Sequence, residues 1–309
     1  MTVDFTIDAY DRKYLEGMTA LYNAETAFDP HIAPLHPDRF IELIEQKSYF
    51  DPEGLFVAVA CGKVVGWIHA CVAAGSEPRH DPDSPAPRIR MLIFPRNHLK
   101  VGNALVAEAT AWLRKAGQQK ILAISSQAGY PFYRGLWLGG EPMAPVTMPH
   151  VQIALEVGGY KSATQSVFMV AEMPNRPEEI RASTNIEMPD SKAEMAHKPM
   201  RESWTGFEPM LTRAMLGGEK VGNIAWVILP HVAERLGAPC VSVWEMGVRE
   251  THRQKGIATA LLSRTMTRAY DLGARFASVG TQLWNAPAHA TYAKLGFRPH
   301  CIMVGRTLI

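Results

Sequence analysis

Apolar positions in the C-terminal part of the chain follow two periods, and each period predicts a type of element. The short apolar runs Cys240–Val248 and 276–284 predict strands. Between them, apolar or small residues recur at three- and four-residue spacing, which predicts a helix from Lys255 to a stop at Gly273. The buried face of that helix would consist of Ala258, Leu261, Leu262, Thr265, Met266 and Ala269. The second strand leads into a further helix with Pro287 in its first turn.

Three landmarks occur in the same order in both halves of the chain. They are a V-G-x-I motif after a hairpin (65–68 and 221–224), a glycine at a helix start (Gly102 and Gly256) and a Gly-aromatic pair (Gly159-Tyr160 and Gly296-Phe297). From the motif glycine to the helix glycine is 36 positions in the first half and 34 in the second. The order and spacing predict an internal duplication.

Residues 253–258, with the sequence R-Q-K-G-I-A, link the predicted strand 240–248 to its helix. A helix N-terminus leaves about four N–H groups without intrahelical acceptors and carries roughly half a positive charge, so it favours an anion. Gly256 and Ala258 are small where a phosphate would approach the backbone, while Arg253 and Lys255 add positive charge. This pattern indicates a pyrophosphate site, although a basic helix start without a ligand has the same short sequence.

Residues 253–258 resemble the Q/R-x-x-G-x-G/A acyl-CoA motif of the GNAT acetyltransferase superfamily, with Arg253, Gly256 and Ala258 at its fixed positions. Residues 285–297 carry a second motif, N-x2-A-x3-Y-x3-G-F, that also resembles this superfamily. Two motifs in the expected order identify the C-terminal half as GNAT-like. The resemblance implies that acyl-CoA contacts Met246, Gly247, Val248, Arg253, Gln254, Lys255, Gly256, Ile257, Ala258, Asn285 and Tyr292.

Because the landmarks repeat, we predict a tandem GNAT architecture of class α+β, in which each domain is a mixed, twisted sheet flanked by helices. Residues 171–199 are rich in Pro, Glu, Asp, Ser and Met without clear periodicity, which places the boundary near residue 174. The domains would be 1–174 and 175–309. The first is expected to be degenerate and the second catalytic, since Leu99, Met148 and Leu155 stand where the second has Arg253, Asn285 and Tyr292.

The resemblance also implies a mechanism in which the amine attacks the thioester directly and Tyr292 protonates the departing thiolate. A free backbone N–H near Met246, at a bulged strand end, would polarise the thioester carbonyl. Asn285 either orients the substrate's pantetheine arm or only caps its helix. The base stays open: Glu245 is the nearest carboxylate, but alternation puts it on the opposite face unless a bulge re-aims it. Water or a residue of the first domain is the alternative base.

The acceptor wall of the second copy is predicted to be short. About 48 residues separate the junction from Gly222, whereas 65 precede Gly66 in the first copy. The difference corresponds to two helices that wall the acceptor site in the resembled family. Trp204 and Phe207 either form what remains of this wall or are core aromatics. The two histidines near the motifs, His252 and His289, are expected on the surface.

The first copy contains an aromatic, Gly-rich insertion. Gly102 and Gly159 are 57 positions apart, whereas their counterparts Gly256 and Gly296 are 40 apart. The insertion carries Tyr130, Phe132, Tyr133 and Trp137. We expect it to pack between the domains and to help complete the acceptor wall; the alternative is a loop that covers only the vacant cleft of its own domain.

Composition excludes several classes of protein. The net charge of +2 without a basic stripe argues against a nucleic-acid partner. The four cysteines have no C-x-x-C spacing and sit in apolar runs, which predicts reduced core thiols and a cytoplasmic location. No apolar stretch reaches the roughly 18 residues of a membrane span, so no membrane contact is expected. Nothing completes a ligand set around His80-Asp81, so no metal is predicted.

The function predicted from the sequence is acetyl transfer. We expect an N-acetyltransferase that uses acetyl-CoA as co-substrate and acts on a primary amine of a small molecule, with Tyr292 and Glu245 as candidate catalytic residues and a homodimer as a candidate assembly. The alternative is a non-catalytic acyl-CoA-binding or sensing protein, which would have no use for the proton donor Tyr292. A dinucleotide-dependent oxidoreductase is excluded because no G-x-G-x-x-G fingerprint is present in a βαβ unit.

Overall fold

The computed structural model of the protein describes residues 4–74, 85–117, 119–124, 132–137, 144–194 and 198–309. The first half has the strands β1 (Thr6–Ala9), β2 (Leu55–Ala60), β3 (Lys63–Ala74), β4 (Pro85–Ile93), β5 (Ile121–Ala123), β6 (Ala144–Pro145) and β7 (Lys161–Glu172). Its helices are α1 (Leu15–Thr26), α2 (Pro37–Phe40), which continues as a π-helical turn, α3 (Leu99–Lys115) and α4 (Pro149–Val157).

The second half repeats this order with fewer residues at its start. Its strands are β8 (Asp190–Lys192), β9 (Met210–Leu216), β10 (Glu219–Leu229), β11 (Cys240–Val248), β12 (Phe276–Gln282) and β13 (Arg298–Leu308). Its helices are α5 (Lys198–Ser203), α6 (Ala233–Leu236), α7 (Ile257–Asp271) and α8 (Ala286–Ala293). Before β9, the described residues of this half contain the short strand β8 and one helix, α5, of six residues, which agrees with the predicted shortening.

The two halves share one continuous sheet through an exchange of their last strands. The strand order is β1-β2-β3-β4-β5-β13-β7-β12-β11-β10-β9-β8, and β6 pairs with β13. The last strand of the first half, β7, pairs with β12 of the second, and the last strand of the second half, β13, pairs with β5 of the first. The predicted boundary near residue 174 falls just after β7. Because β7 pairs with β12 of the second half, the sheet continues across this boundary.

The predicted duplication extends to a matching β-bulge in each half. Between β3 and β4, the register places Arg90 as an extra residue opposite the step from His69 to Ala70. Between β10 and β11, Trp244 is the extra residue opposite the step from Ala225 to Trp226. In each half the bulged strand also forms the parallel pair, β4 with β5 and β11 with β12. The repeat therefore preserves a local backbone distortion as well as the order of the elements.

The hydrophobic core follows the predicted helix faces. In α7, Leu261, Leu262, Met266 and Ala269 are buried against Ile224 and other residues of β10 and β11. In α3, Leu105, Val106, Ala109 and Leu113 are buried in the core of the first half. The helix α3 begins at Leu99, whereas the sequence predicted a start at Gly102. The predicted strand 276–284 ends at Gln282, where a turn leads into α8.

Polar contacts fix the two halves against each other beside the sheet. The Arg235 guanidinium donates hydrogen bonds to the carbonyl oxygens of Thr26 and Ile32, at 2.7 and 2.9 Å, near the C-terminal end of α1. Lys47 Nζ donates to the Glu202 carbonyl oxygen at 2.8 Å. Such buried backbone acceptors are costly to leave unpaired, so these side chains hold the halves in one arrangement.

Three of the four cysteines lie in the core. Cys71, Cys240 and Cys301 are buried and free, as predicted, but Cys61 is exposed in the hairpin turn between β2 and β3, because a turn residue cannot reach the core. Among the helices of the described residues, none combines the length and the apolar character that a membrane crossing requires.

Candidate active site

The strands β11 and β12 separate part-way along their length and leave a wedge-shaped cleft. Their parallel pairing runs from Cys240 and Phe276 to Val243 and Val279, and it stops there. The extra residue Trp244 bends β11 at that point, while β11 stays paired with β10 as far as Val248. A bulge locally bends and twists its strand, which accounts for the separation.

The backbone of β11 directs unpaired polar groups into this cleft. Arg249 N donates to Val221 O at 2.8 Å, which sets the hydrogen-bonding phase between β10 and β11. In an antiparallel pair every second residue bonds to the partner strand, so Gly247 and Glu245 face β10. The N–H groups of Met246 and Val248 therefore point toward the open side, as predicted for Met246.

Because of the bulge, the Glu245 side chain lies on the face of β11 opposite to the one that strict alternation predicts. Val241 and Val243 belong to the core under α7, and strict alternation would place Glu245 on that same face. Instead, its carboxylate accepts a hydrogen bond from Asn223 Nδ2 at 2.9 Å, on the side of β10 opposite to the buried Ile224. Glu245 is exposed on the same face as Trp244, while Met246 turns toward α7.

The loop before α7 turns through two left-handed residues and ends at a helix start with free N–H groups. Gln254 and Gly256 both adopt left-handed conformations, with φ of 62° and 75°. The first intrahelical donor is Ala260 N, which donates to Gly256 O at 2.9 Å. The N–H groups of Ile257, Ala258 and Thr259 thus have no intrahelical acceptor and lie at the positive end of the helix dipole.

Basic side chains stand at the mouth of this loop. Arg253 Nε donates to Val248 O at 3.2 Å, and Lys255 Nζ donates to Thr251 O at 3.4 Å. Both acceptors are neutral carbonyl oxygens, so these bonds do not neutralise the two charges. His252, expected on the surface, also lines the cleft here.

Tyr292, on α8, also lines the cleft between β11 and β12. The cleft has a volume of about 800 Å³, and its lining includes every residue from Val243 to Val248 as well as Tyr292 on α8. Tyr292 is buried, and burial raises its pKa to about 12, so the phenol stays protonated at neutral pH. Its ring packs against Phe297 with centroids 5.9 Å apart, which fixes the direction of the hydroxyl.

Two polar residues near Tyr292 have structural roles. Asn285 is the N-cap of α8; its side chain accepts from Ala288 N at 3.4 Å and donates to Thr281 Oγ1 at 3.0 Å, and it lines the cleft as well. His289 Nε2 lies 3.2 Å from the carbonyl oxygens of Gln282 and Leu283 and is not part of the cleft lining. Asn285 thus caps α8 and also lines the cleft, so its role as a cap is compatible with the predicted role in orienting the pantetheine arm.

Comparison with known families decides the assignment of this half. Residues 178–297 match the family model described as the acetyltransferase (GNAT) family. The second half of the chain is a GNAT domain. A search of curated protein sequences found no significant match.

Solved structures extend the GNAT fold to the first half. A GCN5-related N-acetyltransferase from Sphaerobacter thermophilus is 14% identical and aligns over 99% of this chain and 96% of its own, with a TM-score of 0.67. A tandem GNAT protein from the clavulanic acid biosynthesis pathway is 16% identical, covers 99% and 98%, and has a TM-score of 0.64. The N-myristoyltransferase of Saccharomyces cerevisiae with bound myristoyl-CoA is 12% identical, covers 100% and 83%, and has a TM-score of 0.58. At these identities the likeness concerns the fold, and it agrees with a tandem GNAT architecture.

The first GNAT-like half lacks the corresponding cleft chemistry. Leu155 and Met148, at the positions of Tyr292 and Asn285, are fully buried core residues. Met91 follows the extra residue Arg90 as Glu245 follows Trp244, so it takes the place of Glu245, and it is buried too. Proton donor, cap and carboxylate are each replaced by an apolar side chain.

The aromatic insertion contacts both halves. Tyr133 and Trp137 are buried in the first half, where the Tyr133 hydroxyl lies 2.8 Å from His69 Nδ1. The Arg134 guanidinium stacks over Trp204 of the GNAT domain at 4.0 Å. Tyr130 lies outside the described residues. The aromatic residues of the insertion fill their own half, and its Arg134 reaches the other. A role of the insertion in the acceptor wall stays a prediction.

The residues predicted to remain of the acceptor wall lie in a series of aromatic rings. Trp204 is buried and packs against Trp244, with ring centroids 5.4 Å apart. Phe207 stands edge-on to Trp204 and beside Gly135 of the insertion. Trp244 is the member of this series that lines the cleft. Trp204 packs against Trp244, and Phe207 packs against Trp204, so these two support Trp244 without lining the cleft themselves. The sequence indicates Trp204 and Phe207 as candidates for the wall, but it does not show that Trp244 stands between them and the cleft.

Proposed function

We propose that the protein is an acetyl-CoA-dependent N-acetyltransferase that moves an acetyl group to a primary amine of a small molecule. The GNAT fold supports acyl transfer from acyl-CoA in general, and we assign the chemistry to residues 175–309, with 1–174 as a degenerate partner domain. The observation that carries the proposal is the separation of β11 and β12, which places the Met246 N–H and the Tyr292 phenol on facing walls of one cleft.

Acyl-CoA binding is supported by the loop before α7. The free N–H groups after Gly256 would accept the pyrophosphate, and Arg253 and Lys255 would add attraction at the mouth. The pantetheine arm would then lie between the separated strands along Val248 and Met246. This direction brings the thioester to the bulged end of the cleft.

The length of the cleft supports a short acyl group. The pairing of Val243 with Val279 closes the wedge three residues from Met246, a distance of about 10 Å along an extended strand. A thioester carbonyl that accepts a hydrogen bond from Met246 N has room beyond it for a small group. A long acyl chain would have to pass through the paired strands.

The transfer step uses one backbone donor and one acid. The Met246 N–H stabilises the negative charge that develops on the thioester oxygen. The amine nitrogen donates its lone pair to the carbonyl carbon, the carbon–sulfur bond breaks, and Tyr292 gives its proton to the thiolate. The nitrogen of the new amide releases one proton, which passes through water and restores the Tyr292 phenol. An acceptor that arrives as an ammonium must first lose a proton, and Glu245, exposed on the face of Trp244, is the proposed base.

The proposal is tested by release of free CoA from acetyl-CoA in the presence of a panel of primary amines. Turnover with at least one amine, abolished by Tyr292→Phe, is the expected result. Tight acetyl-CoA binding without turnover of any amine would contradict the proposal and favour a sensing protein.

A further inference from the structure

Asp29, His31 and His300 converge where the two halves meet, outside the acyl-CoA cleft. Asp29 and His31 follow α1 in the first half, and His300 lies on β13. His300 Nε2 donates to Asp29 Oδ2 at 2.8 Å, and His31 Nδ1 lies 3.4 Å from Asp29 Oδ1. One ligand atom from each of the three residues lies within 4.8 Å of the other two. Sequence patterns do not indicate this group, because His300 is far from Asp29 and His31 in the chain.

The group is shielded, and one of its atoms lacks a partner. The Asp29 side chain is 4% exposed, and those of His31 and His300 are 14% and 24% exposed. His31 Nδ1 is closed off from solvent and makes no hydrogen bond within the described part of the chain. Such an atom in a native protein calls for an ion or a water as its partner. The two imidazole rings are 4.5 Å apart and share one carboxylate, so an ion could occupy that position.

We propose that Asp29, His31 and His300 bind a divalent first-row transition metal ion, with Zn²⁺ as the ion that suits them best. Two imidazole nitrogens and one carboxylate oxygen form a ligand set suited to Zn²⁺, with water in a fourth position. Zinc–ligand distances of about 2.0–2.2 Å require the ligand atoms to be roughly 3.3–3.6 Å apart in a tetrahedral site. His300 Nε2 lies 2.8 Å from Asp29 Oδ2 and His31 Nδ1 lies 3.4 Å from Asp29 Oδ1, so each imidazole is near one carboxylate oxygen, and side-chain rotations that bring one atom of each residue to these separations complete the site.

The location indicates a structural role for the metal. It would join Asp29 to a residue 271 positions later and thereby link the two halves. The His31 ring stands edge-on to Phe276, the first residue of β12, whereas the cleft opens beyond Val279 at the other end of that strand. An ion bound here does not reach the thioester, but it stabilises the folded chain in proportion to the logarithm of its concentration over its Kd.

The test uses the full-length protein after treatment with a chelator. Titration calorimetry with Zn²⁺ and visible absorption with Co²⁺ should show one ion per chain, and Co²⁺ should give the intense d–d bands of a tetrahedral site. His31→Ala removes a ligand whose Nδ1 makes no hydrogen bond among the described residues, so no hydrogen bond of that atom is lost with it. It should raise the Kd for Zn²⁺ by more than about 100-fold, the upper limit for loss of a mere outer-shell partner.

His36→Ala is the matched control. Like His300, His36 pairs with a carboxylate, since its Nε2 lies 2.7 Å from Glu234, but His36 does not belong to the group of Asp29, His31 and His300. This variant should bind one ion with unchanged affinity. Retained acetyl-CoA binding would show that both variants are folded. Absence of stoichiometric binding by the wild-type protein, or equal loss in the two variants, would overturn the proposal and leave Asp29 with hydrogen-bonded histidines only.

Discussion

The two halves keep the same glycine before or within a helix, but for different physical reasons. Gly256 precedes α7 in a left-handed conformation and leaves free N–H groups facing the cleft. Gly102 lies inside α3, where a Cβ would be 2.3 Å from the ring of Phe94. The ring fills the space that a phosphate would need. A matching glycine therefore marks a shared fold, and only its backbone conformation shows whether an anion site is present.

The faces next to the two bulges differ in the same way. In the second half, the bulge residue Trp244 and its neighbour Glu245 border an open cleft. In the first half, the bulge residue Arg90 is fully buried, and His69 beside it is buried against Tyr133. The duplication preserved the distortion of the strand, while one copy retained a cavity and the other became core. Four changes to the chain test this contrast.

The largest effect is expected from Gly256→Asp. A Cβ here would lie 3.6 Å from Ala182 Cα, and the φ of 75° is unfavourable for most side chains, but the main effect is a carboxylate against the pyrophosphate. Repulsion and desolvation should cost several kcal/mol of acetyl-CoA binding, measured by calorimetry. Gly256→Asn, which tolerates a positive φ and adds no charge, is the control. Equal affinities of the wild type and the Asp variant would refute the loop as the pyrophosphate site.

Tyr292→Phe should have the next largest effect. It removes the acid but keeps the ring that packs on Phe297, so kcat should fall about 10²- to 10⁴-fold with acetyl-CoA affinity unchanged. The matched control is Tyr270→Phe, since Tyr270 lies on α7 beneath Arg275 and outside the cleft lining. Wild-type kcat in a variant whose chemical step limits the rate would show that Tyr292 is structural.

Glu245→Gln should lower kcat/KM at neutral pH by about 10²-fold, the lower end of the range for general base catalysis. The effect is smaller because water reaches this exposed side chain and can replace it in part. The loss should shrink at higher pH, where more of the amine is already neutral. Glu250→Gln, outside the cleft lining, serves as control. A loss that does not change with pH would argue against Glu245 as the base.

How far the sequence predicted this arrangement depends on the range of the interactions. The strand Cys240–Val248 and the buried face of α7 follow from local periodicity, and the structure agrees with both. The exchange of β7 and β13 was not predictable, because alternation shows which face of a strand is buried and not which strand lies next to it. The sequence does not decide the face on which Glu245 lies for a related reason: one extra residue in a strand moves the side chains that follow it to the opposite faces of the sheet.

The smallest predicted effect concerns stability in the first half. Burial, with a contribution from Arg90, lowers the pKa of His69 to about 3, compared with about 6.5 in an unfolded chain. Between these values the unfolded state binds the extra proton, so the free energy of unfolding should fall by about 1.4 kcal/mol per pH unit below pH 6.5 for this group. His150, whose pKa burial lowers to about 4, adds to this slope.

Urea unfolding between pH 7 and pH 5 measures this effect. His69→Gln should flatten the pH dependence relative to the wild type while kcat stays unchanged, and His36→Gln, at an exposed site, should leave the slope as it is. If His69→Gln lowered kcat and left the slope intact, the first half would take part in catalysis and the contrast between the halves would be wrong.

The number of acetyl-CoA molecules bound per chain tests the central claim most directly. One half has a left-handed loop with free N–H groups, and the other has a continuous helix with Phe94 packed against Gly102. Native mass spectrometry of the wild-type protein at saturating acetyl-CoA should therefore show one bound molecule per chain. Two bound molecules per chain would contradict the account, because the first half would then retain a working acyl-CoA cleft.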